Sequence, residues 1–203
     1  MEIREINVKE KQIINEVVQI HLDTFKGFFL TFMGKGFLKC LYKSYCQHKE
    51  SGVLVAFNDK EPVGFLAYSC DYSGLYKFMI KHKLIPFAWY SLGAFIRKPK
   101  VFIRLMRAFL KSNDVKREEK YVELASIGVD PKKTSSGIGT ALINELKKMV
   151  DFKIYNYILL ETDAENNEVA NRFYLKNGFK LARTYKTKEG RKMNEYKYLG
   201  EYN

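Results

Sequence analysis

Glu123-Leu-Ala-Ser-Ile-Gly-Val-Asp-Pro131 runs toward Thr134-Ser-Ser-Gly-Ile-Gly139, and downstream Asn167-Glu-Val-Ala170 leads to Phe173-Tyr174 and Gly178-Phe179. The reading of these stretches decides the fold. Val122 to Val129 has the pattern of a strand, and the small residues after it make a turn. From Ser136 to Val150 the apolar residues Ile138, Leu142, Leu146 and Met149 recur at helical spacing. Tyr157 to Leu160 is a short apolar run, as in a buried strand. Ala164 to Lys176 reads as a helix with Gly178 available to end it. Strand, small-residue turn, helix, strand and helix, in that order, gather backbone amides and one tyrosine around a common cleft.

Working outward, residues 2–7 read as a first strand. From Lys9 to Phe25, Ile13, Ile14, Val17, Val18, Ile20 and Leu22 form a helical stripe, and Gly36 to His48 forms a second helix. Val53–Phe57 and Val63–Tyr68 flank Asn58-Asp-Lys-Glu-Pro62, which predicts a hairpin. Leu181–Tyr185 and Met193–Tyr198 are predicted as closing strands. Residues 71 to about 118 differ: aromatic side chains alternate with Lys and Arg, and Asp71, Asp114, Glu118 and Glu119 are the only acidic residues. Pro86 and Pro99 predict two or three short helices there. In the last of them, 101–110, Arg104 and Arg107 lie beside apolar residues.

The chain of 203 residues is read as one domain, 1–203, carrying this basic insertion. Its 46% hydrophobic content suffices for a sizeable core, and 29% charged residues argue against disorder. A net charge of +12 favours polyanionic partners: CoA, nucleotide-linked metabolites, nucleic acid or an anionic membrane face. Cys40, Cys46 and Cys70 are not spaced as metal ligands and lie far from the motifs, so neither a metal site nor a nucleophilic cysteine is expected. Leu84 to Ile96 is too short to span a bilayer. The first residues lack an apolar signal core, which points to the cytoplasm.

A pyrophosphate is held well where several N–H groups converge at a helix N-terminus. Gly137 and Gly139, beside Ser135 and Ser136, would let such an anion approach the main chain, although a tight turn before a helix would look the same. A dinucleotide fingerprint would need glycine where Leu142 stands, and a P-loop would need Lys where Thr140 stands.

Thr134-Ser-Ser-Gly137-Ile-Gly139 resembles the pyrophosphate loop Gln/Arg-x-x-Gly-x-Gly/Ala of the GNAT superfamily of acetyl-CoA-dependent N-acetyltransferases. Thr134 replaces the usual long polar side chain, with Lys132 or Lys133 able to compensate. Asn167, Ala170, Tyr174, Gly178 and Phe179 reproduce that family's second signature, Asn-x-x-Ala-x-x-x-Tyr-x-x-x-Gly-Phe, in full. The resemblance implies an α/β fold of the α+β type: a mixed, mostly antiparallel central sheet, helices on both faces, and a helical insertion between strands 3 and 4. It implies acetyl-CoA as acyl donor, bound by Ile127, Gly128, Val129, Thr134, Ser135, Ser136, Gly137, Ile138, Gly139, Thr140, Asn167, Ala170 and Phe173. Ile127 and Val129 would pair with the pantetheine arm through their backbone, and Tyr174 would serve the departing thiolate.

Glu123 lies fourteen residues before Gly137, the offset of a catalytic Glu in the histone acetyltransferase branch. It reads as the general base or as a strand-end ion pair. Glu161 and Asp163 are weaker candidates. His21, Phe25, Phe28 and Phe29 stand where such proteins build the acceptor side.

A looser similarity, through Phe29–Gly34, Ile127–Pro131, Thr162–Asn167 and Gly190–Tyr196, is to GNAT proteins found with bacterial surface-polysaccharide genes. It suggests an amino sugar, free or nucleotide-linked, as the small-molecule amine acceptor. The insertion reads as an acceptor lid, as a peripheral membrane element or as a packing module, with nucleic acid the least favoured partner. The expected assembly is a monomer or homodimer. A different class stays open: a non-catalytic binding protein on this fold, with the insertion as its working part.

Overall fold

The computed structural model describes residues 1–97, 99–100, 102–103, 119–133, 137–187 and 190–200. The order of elements is β1 (Glu2–Glu5), α1 (Lys11–Thr24), α2 (Phe29–Met33), α3 (Lys35–Gln47), β2 (Ser51–Asn58), β3 (Glu61–Ser69), α4 (Tyr72–Arg97), β4 (Tyr121–Val129), a 3₁₀ turn (Pro131–Lys133), α5 (Ile138–Met149), β5 (Tyr157–Asp163), α6 (Glu168–Lys176), β6 (Lys180–Lys186) and β7 (Lys192–Tyr198). The seven strands form one sheet in the order β1-β2-β3-β4-β5-β7-β6. All neighbours are antiparallel except β4 and β5. The mixed, mostly antiparallel architecture with a helical insertion between β3 and β4 therefore stands as the sequence implied.

Period-two alternation explains how the sheet is covered on both faces. Val53, Val55 and Phe57 of β2, with Phe65 and Ala67 of β3, meet Val17 and Val18 of α1 and Leu38, Leu41, Tyr42 and Tyr45 of α3. Leu54, Ala56, Leu66, Val122, Leu124, Ile158 and Leu160 face the other way and meet Leu142, Ile143 and Leu146 of α5. The hairpin turn falls at Asp59 and Lys60, both at positive φ.

The insertion departs from expectation. Pro86 does not break it: α4 runs unbroken from Tyr72 to Arg97 with Pro86 inside. A proline in a helix removes one hydrogen bond. Buried anchors on both sides of Pro86 oppose that loss: Leu75 and Met79 before it, Ser91 and Ala94 after it. Phe37 of α3 packs on Phe87 at 4.8 Å between ring centroids. Gly36 lets the Tyr90 ring lie against the α3 backbone, because a Cβ there would collide with it. The two helices are thus clamped on either side of the proline. The expected short helix over 101–110, apart from Phe102 and Ile103, lies outside the described residues.

His21 is 2% exposed and belongs to the core, not to a surface. Its Nδ1 is 2.7 Å from the Tyr42 hydroxyl, and its ring packs on Phe25 and Phe65. Burial lowers its pKa from the usual 6.5 to about 4. The folded protein therefore holds His21 neutral while the unfolded chain protonates it. Stability from this residue is complete above pH ~6.5 and declines as the pH falls toward ~4, by about 3 kcal/mol in all. Urea unfolding at pH 7.5 and 4.5 checks this. The His21→Phe variant should lose this part of the acid sensitivity, whatever its absolute stability.

Candidate active site

β4 and β5 are hydrogen-bonded neighbours only at Tyr121–Tyr157, Val122–Ile158 and Glu123–Leu159. Beyond Glu123 the two strands separate. The cause is local: β4 carries a bulge, with Ser126 opposite Ala67, Leu124 opposite Tyr68, and Ala125 as the extra residue. A bulge bends its strand and increases its twist. It also puts two consecutive residues on one side, and both Ala125 and Ser126 line the α3–α4 face.

The bend leaves an open edge on β4. The Asp130 N–H donates to the Val63 carbonyl of β3. Main-chain groups alternate in direction along an antiparallel pair, so Gly128 also turns toward β3, whereas Ile127 and Val129 turn toward the gap. The Val129 carbonyl accepts a hydrogen bond from the Thr24 hydroxyl at 3.0 Å. Gly128 has a packing reason: a Cβ there would press on Phe65 and Phe25.

On one face of the gap stands the N-terminus of α5. Its first turn has no acidic residue and no side-chain cap, and Gly137 opens it at φ +76°. The first intrahelical bond runs from the Ala141 N–H to the Gly137 carbonyl, so the N–H groups of Ile138, Gly139 and Thr140 precede the helical ladder. A Cβ on Gly139 would meet Phe173 at 3.0 Å and Val129 at 3.8 Å. The glycine thus brings β4, α5 and α6 together. This donor set fits a diphosphate. Lys132 and Lys133 close the 3₁₀ turn that precedes it in sequence. Thr134, Ser135 and Ser136 lie outside the described residues.

α6 brings Tyr174 to the same face. The helix ends in a Schellman motif: the Phe179 N–H donates to the Tyr174 carbonyl, and the Gly178 N–H to that of Leu175, with Gly178 at φ +80°. This seats Phe179 in the core and fixes the Tyr174 ring between Phe173, Phe179 and Tyr196. Burial, reinforced by the Tyr196 phenol, pushes the Tyr174 hydroxyl up to about 12. Asn167 caps α6 by position only. Its side-chain amide donates to the Thr162 hydroxyl at 2.7 Å, so it ties α6 to the end of β5. Ala170 is half-buried on α6. Asn171, which the sequence did not single out, donates to the Asp163 and Asn167 carbonyls and accepts from Asn194 and Tyr196 of β7.

Glu123 occupies the opposite face. Val122 and Leu124 point to α5, so Glu123 points to α3 and α4, where its charge helps raise the pKa values of Tyr45 and Tyr72, both of which burial raises first. Glu161 acts on Tyr72 in the same way and accepts a hydrogen bond from the Tyr185 hydroxyl at 2.8 Å. Asp163 is taken up by Arg191, which fits a support at the strand end. Tyr45, Tyr72 and Tyr185 carry no sequence motif, since they come from three separate elements.

Of the predicted acceptor residues, Phe25 and Phe28 pack edge to face near Gly128, while Phe29 turns toward Met33, Phe37 and Ala94. His21 is enclosed in the core, as described above. Burial pushes the Cys46 thiol up to about 12, a poor nucleophile. Among the described residues, no group of three or more His, Cys, Asp or Glu is arranged to hold a metal ion.

The gap thus has backbone donors along one edge, an uncapped helix end and a phenol on one face, and a carboxylate among tyrosines on the other. Among solved structures, the chain resembles a Desulfovibrio desulfuricans protein assigned to the GNAT acetyltransferases (TM-score 0.61, 16% identity, 98% of each chain). It also resembles an N-acetyltransferase from Staphylococcus aureus Mu50 (TM-score 0.59, 17% identity, 98% of this chain and 97% of that one). A third is Arabidopsis thaliana NAA60 in complex with acetyl-CoA (TM-score 0.57, 17% identity, 98% and 97%). At such identities the likeness shows the fold. Among curated proteins none matches by sequence. The model of the acetyltransferase (GNAT) family matches residues 14–179. The chain belongs to the GNAT family and is a GNAT-type N-acetyltransferase.

Proposed function

We propose that the chain moves an acetyl group from acetyl-CoA to a primary amine at the gap between β4 and β5. The observation that carries this reading is the open β4 edge past Glu123, with Glu123 on the α3–α4 side of the sheet and α6, which carries Tyr174, on the α5 side. The N–H groups of Gly137, Ile138, Gly139 and Thr140, with Thr134, Ser135 and Ser136 before them, bind the diphosphate. Ile127 and Val129 extend the sheet by pairing with the pantetheine amides, and one of their N–H groups polarises the thioester carbonyl. Glu123 takes the proton that the amine sheds as the N–C bond forms. Tyr174 donates a hydrogen bond to the sulfur as the C–S bond breaks. Asn167, Ala170 and Phe173 shape the wall against the cofactor.

The looser similarity noted for the sequence points to an amino sugar as acceptor, and the need for CoA points to a cytoplasmic reaction. A second reading concerns α4. Ile85, Trp89 and Ile96 are 81%, 72% and 70% exposed, on a helix that also carries Lys77 and Lys81. Such a surface suits peripheral contact with an anionic membrane. Among the described residues no helix is long and apolar enough to cross one.

Calorimetry with acetyl-CoA and thiol release against a panel of amines test the main reading. Heat on binding and thiol release with at least one amine are expected. Gly139→Val, whose side chain would drive into Phe173, should abolish the heat. Binding without turnover of any amine would favour the non-catalytic alternative, with α4 as the working surface.

A further inference from the structure

The insertion helix does more than cover the sheet. Between α3 and α4 lies a cavity of about 410 Å³, open to solvent along Ile80, Leu84 and Leu92. Its walls include Phe37, Leu41, Met79, Leu84, Phe87 and Leu92, and among the described lining residues only Tyr76 and Ser91 carry a hydroxyl. That volume falls within the roughly 300–1,000 Å³ of small-molecule sites. Walls of this kind reject a sugar or a charged group, which would lose water without gaining partners. They suit a hydrocarbon.

Where the cavity leads identifies its occupant. Leu41 and Met79 also line a second, smaller cavity of about 50 Å³, so the two spaces abut. The smaller one is bounded by Tyr42, Tyr45, Tyr72, Ala125 and Ser126. Ala125 and Ser126 are the bulged residues of β4, two and three positions past Glu123, and Tyr45 and Tyr72 are the phenols that feel the Glu123 charge. Leu41 and Met79 form the wall shared by the two spaces, and a shift of these flexible side chains would join them into one tract from the Glu123 side of β4 to the apolar end under α4.

We propose that this tract binds an amphiphilic acceptor: the primary amine, on a small polar head, lies beside Glu123, and a hydrocarbon chain attached to that head fills the α3–α4 cavity. The proposal rests on the acetyl-transfer reading and adds the substrate class. It gives the insertion a role in specificity, because both walls of the apolar end depend on α4 lying along α3. Gly36 and Phe37 fix that contact against Tyr90 and Phe87.

The test compares short and long acceptors with the same head. The methyl and octyl glycosides of glucosamine form one pair and ethylamine and octylamine another, each below its micelle-forming concentration. The octyl member should show a kcat/KM at least about tenfold higher, since each buried methylene contributes to transfer from water. Ala88→Phe, which fills the cavity from its rim, and Leu84→Glu, which puts a carboxylate in its wall, should bring that ratio to near one. Circular dichroism and melting curves confirm that both variants fold. Equal kcat/KM for the short and long members in the parent chain would overturn the proposal, as would a preference that survives both variants.

Calorimetry of the same compounds without acetyl-CoA separates this idea from the reaction itself. Binding of the octyl member alone, lost in both variants, supports the chain site even if no thiol is released. No binding of either octyl compound overturns it. Binding to phosphatidylglycerol vesicles without any octyl preference also overturns it, in favour of the membrane reading.

Discussion

Replacing Tyr174 with Phe should lower kcat about 10- to 150-fold, because a hydrogen bond to a developing charge contributes ~1.5–3 kcal/mol and each ~1.4 kcal/mol is tenfold in rate. The acetyl-CoA Kd should change by less than about twofold, because the lost bond strengthens only as charge develops on sulfur. Phe keeps the ring contacts with Phe173, Phe179 and Tyr196, so the fold should persist. With its pKa pushed up to about 12, the phenol holds its proton more tightly than a thiol, which titrates near 8.5. Tyr174 therefore acts as a hydrogen-bond donor that keeps its proton, and should add no basic limb to the rate profile below pH ~11.

The stability contribution follows the same sign. Burial raises this pKa, so the contribution is complete below the ordinary value near 10 and is lost as the pH rises toward about 12. Single-turnover thiol release, with a melting curve as control, decides the point. An undiminished chemical step in Tyr174→Phe would remove the tyrosine from the mechanism.

Glu123→Gln should cost kcat/KM about a hundredfold or more, in the range of roughly 10²–10⁴ for a positioned proton acceptor. The amide keeps the shape of the side chain, and the backbone pairing of Glu123 with Ser69 and Leu159 is untouched. A purely structural role would show as a lower melting temperature with little change in rate. The acceptor supplies a second discriminator. An amine already neutral at the assay pH needs less help in losing its proton, so the loss should shrink for hydroxylamine-like acceptors relative to alkylamines near pKa ~10. An equal loss for both would argue that Glu123 orients the acceptor without taking its proton.

Much of this architecture was legible because its causes are local. The alternation at 53–57 and 63–68 writes the hairpin into adjacent residues. Glycines at 137 and 178 fall where a left-handed turn opens α5 and closes α6. The Tyr174, Gly178 and Phe179 spacing is the spacing of a Schellman cap and the core residue behind it.

What stayed hidden depends on distant partners. Pro86 breaks helices by local rules, and it is packing on α3 and α2, with buried residues on each side of the proline, that holds α4 together. His21 looks available at the end of a helix until Tyr42, Phe25 and Phe65 close over it. Tyr45, Tyr72 and Tyr185 are ordinary aromatic residues in sequence and become neighbours of carboxylates only through the sheet. The short helix α2 has too few residues for periodicity to show.

The three-pair junction of β4 with β5 has a mechanical consequence. It is the narrow waist of a sheet whose other neighbours are longer ladders, and so the natural hinge between the β1–β4 and β5–β7 flanks. A coenzyme arm laid along the β4 edge would splint that hinge. Amide exchange at Tyr121–Glu123 and Tyr157–Leu159 should then slow on loading, and the two flanks should melt together at a higher temperature.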